Sequence, residues 1–82
     1  MSAPFFERVR GIAADILEVR PNQITPQSSS ENIETWDSVH HLNLILAFEQ
    51  EFGVQLEPEE IDEMNNVERI ISILEQKLNH HG

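Results

Sequence analysis

The chain contains no cysteine, so it has no disulfide framework, no thiolate metal site and no thiol of its own. It also has no Lys or Arg between Arg20 and Arg69, a stretch that holds eleven Asp or Glu. A surface this one-sided repels a phosphate backbone, which argues against nucleic-acid binding. It either keeps a small protein soluble or steers basic protein surfaces toward it, and the acidic middle favours a partner surface. No apolar run approaches membrane-spanning length, and MSAPFFERVR lacks the charged start and apolar stretch of a secretory signal. The expectation is no membrane insertion and a cytoplasmic location. Strand-period runs, internal repeats and metal-binding tracts are missing too.

What remains is helical. The 82 residues, with a net charge of -10, make one small domain over 1–82, with its core at about 3–79 and a tail at 80–82. A chain of this size buries only roughly 60–65% of its unfolded surface, so each core side chain matters. Phe5, Val9, Ile12, Ala13, Ile16 and Leu17 recur at helical spacing over residues 3–18, with Ser2 as N-cap and Pro21 as the stop. Residues 20–37, RPNQITPQSSSENIETWD, form a long polar loop expected to cross the bundle, anchored by Ile24, Ile33 and Trp36. Its few anchors predict a mobile, poorly protected backbone. A second helix is predicted from Ser38 to about Glu51, with Val39, Leu42, Ile45, Leu46 and Phe52 as its core face and Leu44 and Phe48 widening it. Gly53 ends it and Val54 supplies the hydrophobic partner after the cap. Pro58, Glu59 and Glu60 suit the first turn of a short helix reaching Glu63 or Met64. Asn65 with Glu68 reads as a capping box for a last helix on Val67, Ile70, Ile71, Leu74 and Leu78. The fold class is all-α: a small four-helix bundle with a short third helix and a long first loop.

The stretch with chemistry to explain is WDSVHHLNLI, residues 36–45. Asp37, Ser38, His40 and His41 lie too close along one helix start for a hydrolytic triad to converge, and no G-x-S-x-G elbow is present. Adjacent His on a helix point about 100° apart, so His40 and His41 do not share a metal; they read as solvated or partner-facing. His80 and His81 fall at the last turn and tail, where they favour the negative helix end. EPEEIDEM lacks the spacing and central Gly of a calcium loop. Ser38 is then either an N-cap or a hydroxyl placed where an added phosphate is electrostatically welcome.

The same residues carry a resemblance. QITP at 23–26, WDSVHHLNLILAFEQEFGV at 36–54, the acidic segment at 57–63 and NNVERIISIL at 65–74 together resemble the acyl carrier protein family, the phosphopantetheine-attachment or thiolation domains. The resemblance implies that Ser38, in its Asp37-Ser38 motif, receives 4′-phosphopantetheine from coenzyme A through a phosphopantetheinyl transferase. The arm's thiol then holds an acyl or aminoacyl group as a thioester. The protein would be a carrier and not an enzyme, a monomer serving an acyl- or aminoacyl-loading ligase and a downstream synthase or transferase. Val39, His40, His41, Asn43, Leu46, Glu49, Glu59 and Asp62 would face those partners. Leu42, Ile61 and Leu74, beside Val39 and Leu46, would line a groove for the acyl chain or simply fill the core.

Three departures accompany the match: NIETWDSV replaces the D-L-G element of primary fatty-acid carriers, Val39 stands for the motif's Leu, and His40, His41 and Asn43 replace acids. Trp36 is expected to pack under the loop. The less negative face near Ser38 points to a dedicated biosynthetic system. The competing reading is an unmodified acidic helical adaptor.

Overall fold

In the computed structural model, which describes residues 3–79, the helical periods become α1 (Ala3–Leu17), α2 (Ser38–Phe52), α3 (Pro58–Glu63) and α4 (Val67–Asn79). The expected order and the short third helix are both observed, and no strand forms among the described residues. Ser2, His80 and His81 lie outside the described residues.

One core joins the bundle and the first loop. Val9, Ala13, Ala14 and Leu17 of α1 meet Leu44, Ile45 and Phe48 of α2 and Val67, Ile70, Ile71, Ile73 and Leu74 of α4, with Leu56 and Met64 closing the bottom. Burying each large side chain contributes about 1.5–3 kcal/mol. The α2 face differs from the expected one. Val39, Leu42 and Leu46 are exposed at 64%, 56% and 57%, whereas Leu44 and Phe48 are fully buried. Apolar residues cover more than half of this helix's circumference, leaving only the face of His40, Asn43, Gln50 and Glu51 polar, so tertiary packing, not periodicity alone, chooses which apolar side chains enter the core.

Helix α1 stops before Pro21. Glu18 takes a left-handed conformation at φ 59, and the Val19 N–H reaches back to the Ala14 carbonyl at 3.0 Å. That pattern is a helix terminus of the kind glycine usually supplies. Glycine does supply it after α2: Gly53 sits at φ 64 with its N–H on the Glu49 carbonyl, and Val54 bonds the same oxygen.

The loop after α1 crosses the bundle as expected, with Ile24, Ile33 and Trp36 buried at 0%, 7% and 4%. It is not the loose connection its composition suggests. A 3-10 turn at Pro21–Gln23 opens it, and Ser28 is buried with its hydroxyl accepting from the Thr25 N–H at 2.8 Å. Ser29 bridges Asn66, while the Val67 and Glu68 N–H groups donate to the carbonyls of Ser28 and Pro26. The first turn of α4 therefore takes its hydrogen-bond partners from this loop. Its side-chain cap is Asn66, whose Oδ1 accepts from the Arg69 N–H at 2.8 Å, one residue later than the Asn65 expected. The short α3 begins as expected, with Pro58 in its first turn and Glu60 accepting from the Glu57 N–H at 2.8 Å.

Candidate functional site

Ser38 is the first residue of α2 and is exposed. The cap of that helix is Asp37, not Ser38: the Asp37 carboxylate accepts from the His40 N–H at 2.8 Å. Asp37 and Ser38 are both good capping residues, and extended backbone at position 37 (φ -100, ψ -174) gives the role to the first of them. The consequence is chemical. The Ser38 hydroxyl makes no hydrogen bond among the described residues and stays available. The Ser38 and Val39 N–H groups, at the start of a fifteen-residue helix, have no intrahelical carbonyl to meet and face an environment that favours anions.

An anion at Ser38 would meet the Asp37 charge next door. His40 offsets it. The imidazole Nδ1 lies 2.8 Å from Asp37 Oδ1, and Nε2 lies 3.7 Å from Glu18 on the terminus of α1. The bond to the His40 backbone N–H, and then the bond to its ring, hold the Asp37 carboxyl below the usual carboxylate range. The Asp37 hydrogen bond in turn raises His40 above an ordinary imidazole. His40 is thus half-buried in an ion-pair cluster, not a freely solvated side chain.

His41 turns the other way, as the 100° step between neighbours requires. Its Nδ1 accepts from Trp36 Nε1–H at 3.0 Å, and its Nε2 lies 3.1 Å from the Ile61 carbonyl. An indole nitrogen only donates, so Nδ1 is unprotonated and Nε2–H donates to Ile61. His41 is therefore a half-buried link joining the first loop, α2 and α3, with both ring nitrogens engaged. Sequence reading missed this role because Ile61 is 20 positions away; only the exclusion of an acid–base role hinted at a structural one.

Beside Ser38 lies an open depression of about 520 Å³, lined by Ser30, Trp36, Asp37, Ser38, His41, Leu42, Ile61, Asp62 and Asn65. Trp36, Leu42 and Ile61 make its apolar floor; Ser30, Asp62 and Asn65 make a polar rim. A larger depression of about 910 Å³ runs between α1 and α2, but Ser38 is not among its lining residues.

The remaining expected site residues separate into three settings. Val39, Asn43, Leu46 and Glu59 are exposed, with Val39, Leu42 and Leu46 forming a stripe at helical spacing along α2. The Glu49 carboxylate is held in place, accepting from the Leu56 N–H at 2.9 Å. Leu74 is fully buried in the central core and lines no part of the depression. No group of His, Asp and Glu that could hold a metal occurs among the described residues, and no helix there is long and apolar enough to cross a membrane.

Residues 7–74 match the family model described as a phosphopantetheine attachment site. The acyl carrier protein of Petrotoga mobilis is 38% identical over 74 residues, covering 90% of this chain and 87% of the relative. That of Thermosynechococcus vestitus is 33% identical over 72 residues, covering 88% and 89%. The solution NMR structure of holo acyl carrier protein from Geobacter metallireducens shares the fold, with a TM-score of 0.84 at 23% identity over 94% of this chain and 88% of that one.

Proposed function

This chain belongs to the acyl carrier protein family, whose members carry a covalently attached 4′-phosphopantetheine, and on that premise we propose that Ser38 is its attachment point. The observation that carries the reading is the exposed Ser38 hydroxyl, left uncommitted because Asp37 caps α2. The surroundings fit the group: unpaired N–H groups at the helix start favour a phosphodiester, His40 offsets the neighbouring carboxylate, and the adjoining depression offers both apolar and polar walls. When bound, the group supplies the thiol that this cysteine-free chain lacks, for holding an acyl or aminoacyl group as a thioester.

The chain's own residues position and do not catalyse. Within a phosphopantetheinyl transferase, the Ser38 oxygen attacks the pantetheine-bearing phosphorus of coenzyme A. The P–O bond to the adenosine bisphosphate breaks, and the hydroxyl proton passes to a base of the transferase. Tethering then raises the effective concentration of the cargo at each partner's active site. The domain acts as a discrete cytoplasmic monomer, loaded by an acyl- or aminoacyl-ligase and unloaded by a synthase or transferase.

The exposed Val39, Leu42 and Leu46 stripe is the surface those partners meet. Its first turns carry His40 and Asn43 where primary fatty-acid carriers have acids, and one oxygen of Glu49 is turned to the Leu56 N–H. A partner that relies on a row of basic residues finds little to hold there, which supports service in a dedicated pathway.

Incubation with coenzyme A and a broad-specificity transferase, followed by intact mass, tests the attachment. The expected result is a gain of one phosphopantetheinyl group that Ser38→Ala abolishes. No gain, or an equal gain in the variant, returns the chain to the unmodified-adaptor reading.

A further inference from the structure

We propose that His41 sets the class of cargo this carrier accommodates: by bolting α3 to α2 it confines cargo to the open depression beside Ser38, so the protein suits short, polar acyl groups. The inference rests on Ser38 being the tether point.

The bolt has two parts that depend on each other. Trp36 is buried at 4%, and His41 Nδ1 takes its indole N–H at 3.0 Å. That bond fixes the tautomer in which Nε2–H reaches the Ile61 carbonyl of α3, 3.1 Å away. Parting α2 from α3 breaks the second bond. Rotating His41 aside to let a chain pass also strands a buried indole donor, which costs far more than exchanging an exposed hydrogen bond for water. Helix α3 has only six residues; besides the packing of Ile61 on the core, its polar side-chain tie to the rest of the bundle among the described residues is Glu60 to Lys77 of α4 at 2.8 Å. The His41 link is thus the tie on the Ser38 side of the helix.

Trp36, His41 and Ile61 all line the depression, so the linked groups form a continuous floor. The core residues beyond it, Met64 and Leu74, are fully buried, and the expected groove lining of Leu74 is sealed off from the serine. Cargo on an arm that folds back into this depression meets the rim groups Ser30, Asp62 and Asn65 and a shallow apolar floor. That surface offers partners to a short chain with a polar substituent and no enclosed slot to a long alkyl chain.

Ser38→Cys gives this cysteine-free chain a single thiol, to which N-ethylmaleimide or N-octylmaleimide adds. With His41 present, the two adducts are expected to melt together, with the Trp36 indole N–H resonance unmoved by chain length. In His41→Val the indole N–H exchanges roughly tenfold faster or more, the octyl adduct melts several degrees above the ethyl adduct, and the resonance shifts with chain length. His41→Gln, which can both accept from Trp36 and donate to Ile61, behaves as the parent.

A length-dependent rise in melting temperature in the His41 protein overturns the proposal; so does its absence in folded His41→Val. If His41→Val does not fold, the parent and His41→Gln adducts still decide the matter through exchange of the α3 amides. Those must be equally protected under ethyl and octyl chains, and loosening by octyl alone overturns the proposal. Because the chain is attached chemically, this result stands apart from whether a transferase modifies Ser38.

Discussion

Glu18 and Gly53 have nearly the same backbone conformation, φ 59 and φ 64, and the difference between their side chains makes a quantitative prediction. A left-handed residue with a Cβ costs about 1–2 kcal/mol, whereas glycine gives up about 0.5–1 kcal/mol more chain entropy on folding. Glu18→Gly is therefore expected to stabilise the protein by about 0.5–1 kcal/mol. For a domain of this size that corresponds to a rise of about 2–8 °C in melting temperature. The substitution also removes the 3.7 Å approach to His40, made by a side chain that is 77% exposed, and ion pairs this exposed contribute little. The approach is attractive only while His40 is charged, so the gain should be larger at pH 8 than at pH 6. Gly53→Ala is the mirror experiment. A Cβ built there meets no atom within 4 Å, so its cost is conformational alone and of similar size with opposite sign. Urea denaturation and thermal melts followed by circular dichroism measure both. If Glu18→Gly is neutral or destabilising at both pH values, the strain argument at the end of α1 is wrong.

Other outcomes follow from the same geometry. Leu44→Ala should cost about 2–5 kcal/mol through a core cavity, while Leu46→Ala, 57% exposed, should stay within about 0.5 kcal/mol yet slow transfer to a partner enzyme; equal stability losses would refute the observed α2 core face. His40 has a raised pKa when folded, so its stabilisation is complete below the unfolded value and lost as pH rises through the folded one. Asp37 is lowered, so its share is present above the usual carboxylate range and lost as pH falls. Their pair is therefore fully formed between roughly pH 4 and 6.5. His40→Ala should flatten the melting temperature on both sides of that window, and a His40 titrating at or below an ordinary imidazole in NMR would contradict the cluster. Ser28→Ala should cost about 1–3 kcal/mol by orphaning the Thr25 N–H, read by denaturation and by faster exchange of that amide; unchanged exchange there would count against the ordered loop.

Element order and an exposed serine at the start of α2 were legible because they rest on local chemistry: helical spacing in α1 and α4, Gly53 after α2, Pro58 opening α3, and Asp37-Ser38 before an amphipathic run. What sequence could not supply depends on choices made at a distance. Asp37 and Ser38 compete for one cap, as do Asn65 and Asn66, and loop geometry chooses between them. The apolar residues of α2 spread over more than half of its circumference, so Val39, Leu42 and Leu46 could be placed outside only once α1 and α4 had taken Leu44, Ile45 and Phe48. His41 finds its acceptor in another helix, and Glu49 finds Leu56 across a turn.

The same dependence on distance governs how the chain acquires its structure. Helix α4 obtains its first N–H partners from Pro26 and Ser28, far upstream. Until that loop has docked, α4 lacks a complete start, and the loop itself lacks the floor on which Ile24 and Ile33 rest. Closing so long a segment carries an entropic barrier that neither helix overcomes by itself. Helix α4 is then also the element that completes the loop leading to Ser38. A chain cut before α4 should present Ser38 on an unfinished surface, so any transfer onto that hydroxyl is expected to wait until α4 has docked.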